Sequence, residues 1–166
     1  MTRPRAELVS ENDTPYYHCI GRYVRRAFLC GKDTVTGQDF SHRKAWVMER
    51  LKVLLFVFTI ELCTYAVMSN HYHLVVHVDA KAAAALDDDA VMARWELLFA
   101  LPLLINRYRA GKLTGEAERT VARSHIDSLR QRLCDLSWFM RCLNEHIARR
   151  ANEEDKSLRK YCTITT

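Results

Sequence analysis

No run in this 166-residue chain is apolar enough to cross a membrane. The most apolar stretch, Val53 to Ile60, spans eight residues between Lys52 and Glu61, against the ~20 that a spanning helix needs. Met1 to Asp13 mixes charges of both signs around no apolar centre, so it reads neither as a secretory signal nor as an anchor. The six cysteines, Cys19, Cys30, Cys63, Cys134, Cys142 and Cys162, never fall in a Cys-Xaa-Xaa-Cys spacing. That argues against a zinc knuckle or a disulfide frame and for reduced thiols that mostly fill the core. The chain also lacks an internal repeat, a Gly-rich phosphate loop, a Gly-Xaa-Ser-Xaa-Gly elbow and a His-Glu-Xaa-Xaa-His pair. Nucleotidase, serine hydrolase and zinc-protease readings therefore have no support. The expectation is a cytoplasmic protein of one domain's length, with no membrane partner.

What is present is positive charge. The formal net charge is +5 with a pI near 9.0, a balance that favours polyanionic partners through counterion release and steering. The stretch Met68-Ser69-Asn70-His71-Tyr72-His73-Leu74-Val75-Val76-His77-Val78 is the most informative. Side chains alternate faces along a strand, so His71 and His73 point the same way while Tyr72, Leu74, Val76 and Val78 point to the other side. Two neutral imidazoles so placed suit a divalent ion with open coordination positions, able to polarise a phosphodiester. Taken alone, the pair is better explained as two polar groups on the wet face of a half-buried strand. His77 lies about 13 Å from His73 along an extended chain, too far to share an ion. Glu61 and Asp79 fall at hairpin ends, with nothing to mark them as an acid/base pair.

The periodicities predict an α+β order. Tyr16 to Val24 alternates as a first strand. A helix follows, with Ser41 as its N-cap and Trp46, Val47, Leu51, Leu54, Leu55 and Phe58 as a buried stripe. Glu61 to Met68 and His71 to Asp79 read as an antiparallel hairpin turning at Ser69-Asn70. Three helices are expected beyond it, at about residues 87–101, 115–134 and 135–152, the first opening on Asp87, Asp88 and Asp89 and ending at Pro102.

Three blocks in order carry a family resemblance: Thr14-Pro15-Tyr16-Tyr17-His18-Cys19-Ile20-Gly21-Arg22, Tyr65 to Val75 around the histidine pair, and Leu136-Ser137-Trp138-Phe139-Met140-Arg141-Cys142-Leu143-Asn144-Glu145. Together they resemble the REP-associated tyrosine transposases, single-strand DNA nucleases of the HUH single-tyrosine class. The resemblance runs from residue 14 to about residue 155, leaving 1–13 as an N-terminal extension and 156–166 as a divergent tail. It implies a ferredoxin-like antiparallel sheet with helices on one face, and a metal site, Mg²⁺ or Mn²⁺, held by His71 and His73. It implies metal-dependent cleavage and rejoining of single-stranded or hairpin DNA through a phosphotyrosine.

The family's nucleophile block, a Tyr-Val-Xaa-Xaa-Asn-Pro-like helix with an amide ligand four residues after the tyrosine, is not matched. Four places after the seven tyrosines stand Ile20, Gly21, Ala27, Ser69, Val76, Lys112 and Thr165, none of them an amide or histidine. Tyr161 alone follows the predicted helices, in a tail expected to fray, and is the one candidate nucleophile. The resemblance thus implies a truncated or frame-shifted copy without the last strand and the nucleophile helix. The first strand would then be an open edge. His146, on the last helix, is a more remote candidate for the site.

For DNA contact the sequence offers Arg22, Arg25 and Arg26 interleaved with Tyr23 and Phe28, Asn70 beside the histidine pair, and Arg141, Arg149 and Arg150 on the last helix. Guanidinium groups beside aromatics suit phosphates and unstacked bases. Solvated charge on a loop, or on the polar side of an amphipathic helix, explains the same residues. Trp138 and Phe139 read as core rather than as stacking platforms. Three functions remain in view: a transposase-type domain, a non-catalytic binder of single-stranded or hairpin DNA, and a small metal-binding or interaction protein.

Overall fold

The alternation of Tyr72, Leu74, Val76 and Val78 organises the molecule, because all four bury on one side of a central strand. The computed structural model describes residues 14–22, 30–32, 37 and 39–154. Among them the chain is α+β, as the periodicities predict. Three strands are β1 (Tyr16–Arg22), β2 (Ile60–Val67) and β3 (His71–Val78). The sheet order is β1-β3-β2, with β3 antiparallel to both neighbours. Strands β1 and β2 are therefore parallel to one another, linked by the crossover helix α1 (Arg43–Val57), which is a split β-α-β unit with β3 inserted between. Among the described residues β1 is an edge strand.

Helices α2 (Ala80–Ala85), α3 (Asp88–Glu96), α4 (Leu103–Arg109), α5 (Glu116–Leu133) and α6 (Leu136–Glu154) follow. Val47, Leu51 and Leu54 of α1, Val91, Met92 and Trp95 of α3, and Phe139, Leu143 and Ile147 of α6 close one core with the inner side of β3. Phe139 is core, as expected; Trp138 is half-buried against Trp95 and Phe99. No helix among the described residues is long and apolar enough to cross a membrane.

Several local expectations are corrected. Ser41 does not cap α1. Its N–H and hydroxyl both donate to Asp39 Oδ1, at 2.8 and 2.6 Å, and the helix starts after His42, whose side chain makes no capping bond. Asp87 does cap α3, accepting from Ala90 N at 2.7 Å, but α3 ends at Glu96, and Pro102 opens α4 instead of closing α3. Proline suits a helix start because the N–H it lacks has no partner there. The short helix α2 falls on the Ala-rich run and is capped by Asp79, which accepts from Ala82 N at 2.8 Å. Thiols as core filling holds for Cys30 and Cys142, whereas Cys63 is exposed beside a bulge in β2. Cys162 lies outside the described residues.

Helices α1 and α6 are joined at one end by charge. Buried Arg43 reaches Glu154 Oε2 at 2.6 Å, and His42 meets the other carboxylate oxygen. The Arg43 guanidinium lies over Phe40 at 4.1 Å, and that of Arg150 over Trp46 at 4.5 Å. Asp135 Oδ1 accepts from the backbone N–H groups of Ser137 and Trp138, filling donors that the first turn of α6 leaves open.

Candidate metal and nucleic-acid site

The residue between the two histidines fixes where they point. Tyr72 is fully buried, and its hydroxyl donates to Asn144 Oδ1 on α6. Its register partner on β1 is Gly21, where an added Cβ would overlap the Tyr72 ring. Only a glycine lets β1 pass this close to the tyrosine. With Tyr72 drawn inward, period two sends His71, His73, Val75 and His77 to the opposite, partly open face of the sheet.

On that face the His71 and His73 ring centroids are 4.9 Å apart, at 74° between planes. An imidazole nitrogen binds a divalent ion at about 2.1 Å, placing the centroid roughly 3.3 Å from it, so two rings meeting one ion at about 90–110° have centroids about 4.7–5.4 Å apart. The pair fits that requirement. His71 Nδ1 meets Asn70 Oδ1. An amide oxygen can only accept, so in the neutral ring this contact places the His71 proton on Nδ1 and leaves the lone pair on Nε2. His73 Nδ1 lies 2.9 Å from Nε2 of His18 on β1, and the two rings meet edge to edge, their planes 20° apart and their centroids at 5.1 Å. Partial desolvation first, then the neighbouring His71 and His18, hold His73 below the ordinary imidazole pKa, which favours the neutral ring that a metal requires. Two imidazoles form the donor set. No group of three or more His, Cys, Asp or Glu side chains suited to a metal occurs among the described residues.

His18 is the residue that sequence reasoning missed. Tyr16, His18, Ile20 and Arg22 share a face of β1 by simple alternation. What places them beside the histidine pair is the β1–β3 register, with Ile20 opposite His73 and Arg22 opposite His71. His18 pairs with Val75 and so meets His73 on the diagonal, within reach of a long or aromatic side chain. Further along the same face His77 Nδ1 lies 3.1 Å from Glu61 Oε2, under the Tyr16 ring at 4.8 Å. Glu61 and Asp79 do not form a pair, since Asp79 is committed to its cap.

Of the predicted DNA contacts, Arg22 stands exposed on the strand bearing His18, and Asn70 sits against His71. Arg25, Arg26 and the candidate nucleophile Tyr161 lie outside the described residues. The α6 arginines are not brought to the histidine face, because α6 covers the other side of the sheet. Each has a carboxylate within reach: Arg141 and Arg149 are 2.7 and 3.5 Å from Glu145, and Arg150 is 3.2 Å from Glu49. His146 is on that helix too, half-buried beside Arg50 and Arg150, with burial first and those charges second lowering its pKa. Compared with protein-family models, curated proteins and solved structures, the chain finds no match.

Proposed function

We propose that the open sheet face is a divalent-metal site that engages single-stranded or hairpin DNA, the role expected of an HUH-type domain related to the REP-associated tyrosine transposases. The observation that carries this reading is the spacing of His71 and His73, 4.9 Å between rings on the face away from the core. A bound Mg²⁺ or Mn²⁺ would supply Lewis-acid polarisation of a phosphate oxygen. His71 and His73 would hold the ion through Nε2. Arg22, opposite His71 in register, would bind a backbone phosphate beside it. Tyr16 and Ile20, both substantially exposed on the same strand face, would offer flat or apolar surface to unstacked bases.

The test is metal binding and DNA binding measured together. Mn²⁺ titrated into the protein should release or absorb heat and raise the melting temperature, because an ion that binds only the folded state stabilises it. His71→Ala and His73→Ala should each abolish both effects. Wild-type Mn²⁺ binding in the two variants would overturn the metal reading, and equal affinity for hairpin, single strand, duplex and heparin would overturn the DNA reading. Incubation with a labelled hairpin and Mn²⁺ distinguishes cutting from holding. A covalent adduct lost in Tyr161→Phe makes the chain a nuclease; no adduct leaves it a binder.

A further inference from the structure

The His18–His73 contact has a direction, and the direction decides whether His73 can ligate. A neutral imidazole carries one proton, so one ring nitrogen donates and the other accepts. If His18 Nε2–H donates to His73 Nδ1, the proton of His73 sits on Nε2 and that nitrogen cannot take a metal. If His73 Nδ1–H donates to His18 Nε2, His73 Nε2 is bare. In the neutral ring of His71 the contact with Asn70 Oδ1 selects the second form. A shared ion needs both rings in that form.

We propose that His18 is a positioning residue, which accepts the Nδ1–H of His73 across the β1–β3 pairing and presets His73 to offer Nε2 to the ion. The inference rests on the metal reading above and extends it to a residue on a different strand. Metal-ligating histidines generally pass their second ring N–H to an acceptor that fixes tautomer and orientation. Here Asn70 and His18 fill that place for the two rings, at 2.9 Å in the case of His18. Both contacts are made without the ion, so the proposed preset can be read in the metal-free protein. The arrangement also couples the site to strand pairing, since His18 reaches His73 only in the observed β1–β3 register.

The experiment reads the tautomer directly. Long-range proton–nitrogen correlation spectra of the metal-free protein, recorded above the imidazole titration range, should show His73 with a protonated Nδ1 and a pyridine-like Nε2. His18→Ala should return His73 to the Nε2–H form common in free histidine and weaken Mn²⁺ binding by about 10- to 100-fold, as measured by calorimetry. His18→Gln, whose amide oxygen can accept the same hydrogen bond, should restore both. A wild-type His73 already in the Nε2–H form, or an unchanged tautomer in His18→Ala, would overturn the proposal. A His18-dependent Nδ1–H form in a protein that does not bind Mn²⁺ would overturn the metal reading instead, while leaving His18 in control of the tautomer.

Discussion

Replacing Tyr72 with phenylalanine removes a single oxygen and leaves buried Asn144 without its donor. The cost is the desolvation of an unsatisfied amide, about 1–3 kcal/mol, whereas removing both partners together is often near neutral. Urea unfolding should therefore show Tyr72→Phe destabilised, and Tyr72→Phe combined with Asn144→Leu recovering much of the loss. Gly21→Ala meets the same ring from the other side. Overfilled cores lose roughly 1–3 kcal/mol, and the loss should shrink when Tyr72 is also cut to leucine, since residues in contact are not additive. Additive effects in that double variant would show that Gly21 and Tyr72 do not touch. Both predictions concern stability, yet both reach the histidines, because Tyr72 holds the segment they flank.

Between elements, the bond of α1 to α6 through Glu154 carries a pH signature. Burial alone would raise the Glu154 pKa, but hydrogen bonds from Arg43 and His42, with their charges, outweigh it and hold the carboxyl below the ordinary glutamate value. A lowered carboxyl pKa stabilises the fold above the unfolded-state value, and the contribution disappears as pH falls through the folded-state value. Glu154→Gln should accordingly lower the melting temperature at neutral pH, and the gap to wild type should close below the ordinary glutamate range. A gap that persists in acid would assign the effect to packing. The elements were legible in the sequence where the period was clean: β3 from its alternation and α1 from its stripe. The Ser41 cap was misread because a local competitor, Asp39, takes the serine N–H and hydroxyl. The break between α3 and α4 was misplaced because Pro102 serves a helix start as well as a helix stop. His71 and His73 could be seen to share a face, but the link to His18 could not, since it depends on which strand pairs with β3 and in what register.

At the scale of the molecule, some arginines are held by carboxylates and others stand open to a phosphate. On the helical side Arg141, Arg109 and Arg130 lie 2.6–2.7 Å from Glu145, Glu96 and Asp88, while Arg22 on the sheet face has no acidic partner among the described residues. Hairpin-DNA affinity should fall linearly on a log–log plot against salt, and Arg22→Ala should flatten the slope by about one for its lost phosphate contact. Arg149→Ala, on the opposite side of the sheet, should leave the slope unchanged. A larger effect from Arg149 than from Arg22 would move the nucleic-acid surface to the helices.

The interlock of Gly21, Tyr72 and Asn144 has a further effect on how the chain can fail. Because strand side chains repeat every second residue, a slip of β3 by one position would turn Tyr72 out to water and drive His71 and His73 into the apolar layer. Such a chain would bury two imidazoles and abandon a tyrosine, too unfavourable to persist as a compact state. Misthreaded copies would therefore unfold rather than survive as impaired ones, and nearly every molecule that stays folded would carry its histidines on the outer face.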